Sequence, residues 1–376
     1  MKCLMGIDMG GTMVKAGLFN TEGKELATRG KRLAILYPGK DMNERNIEEA
    51  EQASYTAIKE VIEAAGVNQA DILGIGVTGM ANGVYMFDEN DKPVRDAVLS
   101  GDLRAKNYIK KWYGDGTFKK LLPKIRQSIW AGNVPALIAW FKGNDKAALD
   151  KTKTIVTAKD YVKFLLTGVY SLEITEASAI AGMDQNKGII TEEIFKLYGI
   201  AEYLDKLPKK IARSSEIAGY VTNYCAEKTG LKAGTPVVGG LADITASILA
   251  VGVTDQTKWG IIVGTWGINT LVKKEPTVSP DLFLMHNYCI DGLWEYMEGS
   301  STSAANLEWF IDNFFDREKE VHIYEKCNHL VEQAPWRDSI IFLPFLYGTN
   351  VNLDAKSAFI GLKGNHTPAS MVRAIS

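Results

Sequence analysis

The stretch at residues 5–19 restricts the fold of this chain more than any other part of its sequence. A short apolar run leads to Asp8, the chain turns at residues 10–12, and a second run alternates between apolar and polar residues up to Phe19. Two runs of this kind joined by a glycine-rich turn predict a β-hairpin. Any fold for this chain therefore has to begin with two antiparallel strands.

The residues of this turn are suited to an anion. Gly10 and Gly11 lack a Cβ, so their N–H groups can approach phosphate oxygens and their backbone can adopt positive φ. Thr12 adds a hydroxyl donor. Asp8 would repel a bare phosphate, so a cation such as Mg²⁺ is expected between them. The alternative is an ordinary Gly-Gly hairpin with a surface aspartate.

The composition excludes several classes of protein. The 376 residues suffice for about two domains. With 46% apolar and 23% charged residues, the chain is expected to be globular rather than disordered. A net charge of −2 without an extended basic run argues against wholesale nucleic-acid binding. No uncharged apolar window reaches the roughly 18 residues of a membrane helix, so no membrane partner is expected.

The cysteines predict neither a zinc site nor a disulfide framework. They form no CxxC pair and are far apart in the sequence, at Cys3, Cys225, Cys289 and Cys327. A reducing compartment, the cytoplasm, is therefore expected.

The elements after the hairpin follow a recognisable order. Residues 24–33 predict a third strand, residues 46–65 repeat apolar side chains with a period near 3.6 and stop at Gly66, and residues 72–79 form a short β-branched run. Three strands, a helix and a buried strand resemble one half of the ribonuclease H-like ATPase fold. The sequence thus predicts an α/β protein of this actin-like class.

Polar residues follow two of the predicted strands. Ligands of open α/β sheets collect at the carboxyl ends of strands, which makes Asn82 a candidate contact. Asp102 and Arg104 follow another strand, and Asp102 is also a candidate N-cap for a helix at residues 105–112. The turn at residues 175–178 is expected to be structural.

A second candidate carboxylate, Asp243, lies between a predicted strand and a predicted helix. An apolar strand ends on Gly239 and Gly240, and Asp243 then lies in the first turn of an apolar helix. Asp243 could merely favour the positive end of that helix, where it is expected to stay ionised. The two glycines, however, remove bulk where another molecule would approach, which favours a functional Asp243.

A third glycine-rich turn repeats the first. Residues 258–271 predict strand, turn and strand, with Gly264 and Thr265 in the turn. Repetition of a glycine hairpin predicts two related domains around a central cleft, 1–250 and 251–376, with a hinge between them. The helix that follows Thr367 and Pro368 stops at Ser376 after about two turns, so the chain is expected to be a fragment of a longer polypeptide.

Taken together, these motifs resemble those of the FGGY carbohydrate kinases, and the resemblance runs over residues 2–376. Within that family the chain looks most like the L-xylulose kinase branch. The resemblance to that branch is carried by residues 90–93, 99–104, 126–132 and 264–266.

The resemblance implies a role for each candidate residue. Asp243 would be the catalytic base, and Asp8 would lie near Mg²⁺. The phosphates of ATP would contact two loops, formed by Gly10, Gly11, Thr12 and Lys15 and by Gly264 and Thr265. The sugar would contact Ala81, Asn82, Asp102, Arg104 and Asp243. The adenosine loop of the family would lie beyond Ser376.

Two departures from the family pattern concern the sugar. Xylulose kinases commonly have Gln-Met-His where this chain has Met80, Ala81 and Asn82, and Trp-Asn-Asp where it has residues 100–102. These departures disfavour D-xylulose and favour another ketose, a sugar acid or a polyol.

The resulting hypothesis is transfer of the γ-phosphoryl group of MgATP to a hydroxyl of a small sugar. One alternative is a sugar-independent ATPase of the actin or chaperone type. Another is a sugar sensor without catalysis. A homodimer is one possible assembly.

Overall fold

The computed structural model describes residues 1–264, 267–300, 303–316, 322–335, 340–346 and 355–376. These residues form two compact units. Unit 1 contains Met1–Gln256 and Val272–Tyr296, and unit 2 contains Thr257–Leu271 and Met297–Ser376. The units alternate along the sequence, and the domain boundary at residue 250 stays a prediction.

The predicted hairpin and third strand are confirmed. Strands β1 (Cys3–Met9), β2 (Met13–Asn20) and β3 (Glu25–Arg32) pair antiparallel in sequence order. Side chains of a strand alternate between its two faces, and in β1 the odd-numbered residues are buried. Asp8 therefore lies on the opposite face from the core.

The helix after these strands covers the buried face. A two-residue strand, β4 (Glu44–Arg45), precedes helix α1 (Ile47–Ala65). The Asn46 side chain caps the helix by accepting a hydrogen bond from the Glu49 N–H, and Gly66 ends it with φ of 60°. The apolar side of α1 packs against β2 and β3, as its period of 3.6 predicts. Strand β5 (Ile72–Gly79) follows and pairs parallel with β1.

The remaining elements of unit 1 up to residue 256 complete the sheet and a second helical layer. They are β6 (Tyr85–Phe87), β7 (Ala97–Val98), α2 (Lys106–Gly114), α3 (Thr117–Ile125), α4 (Val134–Asn144), α5 (Lys146–Lys151), β8 (Thr154–Val156), α6 (Ala158–Thr167), β9 (Leu172–Glu173), α7 (Ile174–Ala179), β10 (Met183–Asp184), β11 (Ile189–Ile190), α8 (Glu192–Tyr198), β12 (Ile211–Ala212), β13 (Ile217–Tyr220), α9 (Asn223–Thr229), β14 (Pro236–Val238), β15 (Leu241–Ala242) and α10 (Asp243–Ala250), with 3-10 helices at Gln69–Asp71 and Ala201–Lys206.

The main sheet brings distant parts of the sequence side by side. Its strand order is β13, β14, β5, β1, β2, β3, and β15 also pairs with β5. The pairings of β5 with β1, β14 and β15 are all parallel. The carboxyl ends of β1, β5 and β15 consequently meet at one edge of the sheet.

Two hydrophobic clusters hold unit 1 together. One packs the odd-numbered side chains of β1 against α1, α6 and α9. The other lies among α2, α3, α4 and α8. The elements that carry the polar residues of the sheet edge are thus anchored in these two hydrophobic clusters.

Two local predictions were wrong. Residues 175–178 belong to helix α7 rather than to a turn. Helix α2 has Ala105 as its N-cap, and Asp102 instead accepts a hydrogen bond from the Arg104 N–H, so it does not cap the helix.

The rest of the chain contains β16 (Trp259–Val263), β17 (Gly267–Lys273), β18 (Leu284–Asn287), β19 (Trp294–Ser300), α11 (Ala304–Phe314), α12 (Ile323–Gln333), β20 (Ile341–Leu343), β21 (Ala358–Ile360) and α13 (Pro368–Ile375). Within unit 2, β16 and β17 pair antiparallel, as predicted, with Val263 opposite Gly267. The predicted site residue Thr265 lies outside the described residues. Among the helices that the structure describes, none is both long and apolar enough to cross a bilayer.

Candidate active site

The structure brings the two predicted carboxylates together. Asp8 at the end of β1 is in register with Thr78 of β5, and Thr78 is in register with Leu241 of β15. Asp243 follows β15 directly and begins α10. The two carboxylates are near enough that the charge of Asp8 raises the pKa of Asp243. Both acids therefore belong to one site at the carboxyl edge of the sheet.

The carboxylate of Asp8 is only partly satisfied by the part of the chain that the structure describes. Its Oδ1 is buried, and none of the described residues donates a hydrogen bond to it. Burial raises the pKa of Asp8, and the positive charge of Lys15, opposite it on β2, lowers it. A buried unpaired carboxylate oxygen is costly unless a cation or donor reaches it.

That orphaned oxygen fits a magnesium ion delivered with a nucleotide. Mg²⁺ keeps several waters and is commonly held by one or two carboxylates together with substrate phosphates. Within the described ranges, no group of three or more His, Cys, Asp or Glu side chains could hold a metal ion by itself. A single carboxylate at an open edge suits the magnesium ion of a nucleotide better than a resident ion.

Asp243 differs from its expected ionisation. Burial, with smaller contributions from the charges of Asp8 and Glu295, raises the pKa of Asp243 to about 7. Its Oδ1 accepts a hydrogen bond of 2.8 Å from the Ile244 N–H, which lowers the pKa but does not offset burial. The helix start predicted a fully ionised Asp243, but desolvation exceeds the effect of the helix dipole, so the carboxyl is only partly ionised near neutral pH. A group with this pKa is suited to accept a proton near neutral pH.

The two glycines before Asp243 serve the fold of the chain itself. A Cβ on Gly239 would lie 2.3 Å from the carbonyl oxygen of Arg213. Gly240 has φ of 85°, and a Cβ there would lie 2.0 Å from the carbonyl oxygen of Val77. The close approach predicted for another molecule is made by the backbone of this protein. These glycines place β15, and thus Asp243, beside β5.

The loop after Asp8 supplies room rather than unusual torsion angles. Neither Gly10 nor Gly11 has positive φ, which corrects that part of the prediction. The Gly10 N–H donates to the carbonyl oxygen of Met13 at 2.9 Å and closes the turn. Gly11 and Thr12 are exposed, and a Cβ on Gly11 would meet none of the described residues within 4 Å. The space around Gly11 is open to a ligand.

Arg45 restrains this loop through hydrogen bonds to its backbone, and the sequence analysis did not identify Arg45. The side chain is fully buried, and its guanidinium donates to the carbonyl oxygens of Gly10, at 3.1 Å, and Gly11. It also donates to the Tyr85 hydroxyl at 3.4 Å. Fixing both carbonyls on the inner side restrains the loop that carries Gly11 and Thr12. No sequence pattern marks Arg45, since its strand has only two residues.

Asp102 and Arg104 form a buried ion pair. The Arg104 Nε donates to Asp102 Oδ1 at 2.8 Å, and the Asn43 N–H donates to Asp102 Oδ2 at 2.7 Å. The Arg104 Nη2 donates to Glu44 Oε1 at 2.6 Å, and Arg95 also pairs with Glu44. The predicted pair is thus anchored to β4, next to Arg45.

Asn82 is bound on all sides by protein groups. Its backbone N–H donates to Glu176 Oε1 at 2.9 Å, its Nδ2 to the carbonyl oxygen of Ala179 at 3.3 Å, and its Oδ1 accepts from Asn133 Nδ2 at 2.9 Å. Burial raises the pKa of Glu176 above its usual range, and no residue in the described part of the chain hydrogen-bonds its Oε2. Ala81, half-buried, precedes this cluster. Sequence reasoning missed Asn133 and Glu176, which lie far from Asn82 in the sequence.

A row of glycines crosses the sheet face that carries Asp8. Gly6 lies in register between Gly17 on β2 and Gly76 on β5, so three glycines form a row across the strands. A Cβ on Gly6 or Gly76 would meet nothing within 4 Å. A cavity of about 630 Å³ lies over this row and is also lined by Asp8 and Lys15.

Of the second predicted phosphate loop, Gly264 is half-buried, and its carbonyl oxygen accepts a hydrogen bond from the Ala304 N–H at 2.9 Å.

Comparison with known proteins gives a consistent result. The profile of the FGGY family of carbohydrate kinases, N-terminal domain, matches residues 3–250. The chain is 33% identical to the "Probable L-xylulose kinase" of Pasteurella multocida, covering 100% of this chain and 77% of that protein. It is also 33% identical to the L-xylulose/3-keto-L-gulonate kinase of Escherichia coli, covering 99% of this chain and 74% of that protein.

Solved structures confirm the predicted fold. The xylulose kinase from Rhodospirillum rubrum superposes with a TM-score of 0.89 at 22% identity, covering 100% of this chain and 76% of that one. The glycerol kinase of Plasmodium falciparum, solved with ADP, superposes with a TM-score of 0.87 at 18% identity, covering 100% and 76%. The α/β, ribonuclease H-like (actin-like) ATPase fold is therefore that of this chain.

Proposed function

Since the chain belongs to the FGGY family of carbohydrate kinases, we propose that it transfers the γ-phosphoryl group of MgATP to a hydroxyl of a small ketose, with an L-xylulose-like pentulose first among the candidates. A sugar acid or a polyol is the next class to test. The chain is a sugar kinase, a phosphotransferase with an alcohol group as acceptor, and kinases of this family use ATP with a divalent metal. The observation that supports the proposal most is the meeting of Asp8 and Asp243 at one edge of the sheet.

Asp243 is the proposed catalytic base. A pKa of about 7 leaves a large share of the carboxyl ionised at neutral pH, ready to accept the proton of the sugar hydroxyl. The transition state of phosphoryl transfer is loose, so a weak base at the right place suffices. The Ile244 N–H fixes the orientation of the carboxylate through its bond to Oδ1.

Asp8 is the proposed metal contact. Its unpaired Oδ1 would hold Mg²⁺ together with the phosphates of the nucleotide. The ion would neutralise charge on the phosphate oxygens when bound. Gly10, Gly11, Thr12 and Lys15 are proposed to contact those phosphates, and Gly264 and Thr265 to form the second phosphate loop.

The sugar side is proposed to include Ala81, Asn82, Asp102, Arg104 and Asp243. Asn82 and Asp102 are fixed by protein hydrogen bonds, so they would present a rigid, preformed surface rather than adapt to each sugar.

A substrate panel tests the proposal. ADP release from MgATP is expected to rise by more than roughly tenfold when the right ketose, sugar acid or polyol is added, because water is a poor competitor in a closed site. The measurement is coupled ADP release with each compound and without any. Equal ADP release in all cases would favour the sugar-independent ATPase. Sugar binding without ADP release would favour a silent sensor.

The metal role of Asp8 has its own test. Asp8→Asn removes a charged ligand, worth about 1.5–3 kcal/mol, and should raise the Mg²⁺ concentration needed for half-maximal activity by roughly 10- to 100-fold. The measurement is a Mg²⁺ titration at fixed ATP and sugar. Asp41→Asn is the control, because Asp41 is a surface acid paired with Lys106. Unaltered metal dependence in Asp8→Asn would contradict the assignment.

A further inference from the structure

The backbone before Asp243 is held by a side chain from a distant helix. Thr175, in α7, is fully buried, and its Oγ1 accepts a hydrogen bond of 2.9 Å from the Ala242 N–H. Ala242 is the N-cap of α10 and has no side chain that could make a capping bond. The hydroxyl of Thr175 therefore fixes the residue from which α10, and with it Asp243, begins.

The direction of this hydrogen bond is set by a carboxylate. Thr175 Oγ1 donates to Glu173 Oε2 at 2.7 Å, so its lone pairs are left for the Ala242 N–H. Glu173 also accepts from the N–H groups of Thr175 and Glu176, at 3.0 and 3.3 Å, and from Ser214 Oγ at 2.5 Å. With four donors around it, the Glu173 carboxylate acts as an acceptor and keeps the Thr175 hydroxyl in one orientation.

A buried cation supports the same carboxylate. Lys159 Nζ lies 3.6 Å from Glu173 Oε2 and 2.6 Å from Asp160 Oδ1, and these three side chains have no exposed area. The chain of contacts runs from Lys159 through Glu173 and Thr175 to the backbone of Ala242.

We propose that Thr175, oriented by Glu173, is a positioning residue that sets the direction in which Asp243 presents its carboxylate. This inference rests on the proposed function of Asp243 as the base. An error of about 1 Å in the placement of a reacting group can lower the rate of transfer by roughly 100-fold. Thr175 contacts no reacting atom in this scheme and acts only through the start of α10.

The test compares two substitutions at one position. Thr175→Val keeps the shape of the side chain and removes the hydroxyl, and it should lower kcat by roughly 10- to 100-fold while KM for ATP stays within about twofold. Thr175→Ser restores a hydroxyl and should recover most of the activity. Hydrogen exchange at the Ala242 amide should be faster in Thr175→Val than in the wild type, which is a readout independent of turnover.

Thr229→Val is a matched control. Thr229 is also fully buried, its Oγ1 donates to the Cys225 carbonyl oxygen at 2.7 Å, and it accepts from the Leu231 N–H at 3.2 Å. It lies at the end of α9. Both valine variants should lose a similar amount of stability, but only Thr175→Val should change kcat.

A double variant separates this inference from the proposed function. If Thr175 acts through Asp243, Thr175→Val combined with Asp243→Asn should be no slower than Asp243→Asn alone. Full activity of Asp243→Asn would overturn both the base and its positioning residue. The positioning role alone would be overturned if Asp243→Asn loses most of its activity while Thr175→Val keeps the wild-type kcat. It would also be overturned if hydrogen exchange at the Ala242 amide is the same in Thr175→Val and in the wild type.

Discussion

Replacing Asp243 with asparagine should lower kcat for sugar phosphorylation by roughly 10² to 10⁴ while KM for ATP changes little. Asparagine keeps the size of the side chain and its hydrogen bond from the Ile244 N–H, which is 2.8 Å long in the native protein. It cannot accept the proton of the sugar hydroxyl. Steady-state kinetics with the best sugar of the panel, alongside calorimetric binding of ATP, measures both quantities. Equal kcat in the two proteins would remove Asp243 from the role of base.

The same experiment has a pH signature. Burial raises the pKa of Asp243 to about 7, so the group is protonated and inactive as a base at lower pH. In the wild type kcat/KM for the sugar should therefore rise with pH, with the midpoint of the rise near pH 7, and level off above about pH 8. The residual activity of Asp243→Asn should lack this rise. A wild-type profile that is flat between pH 5 and 8 would contradict the assignment.

Gly240→Ala should strongly destabilise the protein. The new Cβ would lie 2.0 Å from the carbonyl oxygen of Val77, at a backbone φ of 85° that alanine rarely adopts. Strain at positive φ and overpacking together should lower the free energy of unfolding by about 3–5 kcal/mol. Chemical denaturation measures this loss, and the amount of folded protein on expression should decrease with it.

Gly76→Ala is the control for that substitution. Gly76 lies on the neighbouring strand, has no positive φ, and a Cβ there would meet nothing within 4 Å. Its free energy of unfolding should stay within about 1 kcal/mol of the wild type, since alanine also restricts the unfolded chain. Similar stability of the two alanine variants would show that the backbone of β15 can move away from Val77.

The parts of the site that the sequence could predict are those with a local pattern. The opening hairpin follows from alternation and a glycine turn, and α1 follows from its period and from Gly66. Asp8 and Asp243 could be predicted as site residues because Asp8 lies at the end of a short apolar strand and Asp243 follows one. Parallel strands then bring such residues to one edge, as the register through Thr78 shows.

The parts that could not be predicted depend on contacts between distant residues. Arg45 reaches the loop at Gly10 from 35 positions away, and Thr175 reaches Ala242 from 67 positions away. No local pattern of charge or hydrophobicity encodes such contacts. The pKa of Asp243 is another case, because the sequence shows the helix start but not the burial that outweighs it. The role of Gly240 was misassigned for the same reason, since Val77 is remote in sequence.

The strand β4 has to keep one register in the fold. Its two residues carry opposite charges, and alternation sends Glu44 towards Arg104 and Arg45 towards the carbonyl oxygens of Gly10 and Gly11. A shift of β4 by one residue relative to β7 would exchange the two faces, placing a guanidinium beside arginines and a carboxylate beside carbonyl oxygens. The position of the loop that carries Gly11 and Thr12 therefore depends on the register of a two-residue strand.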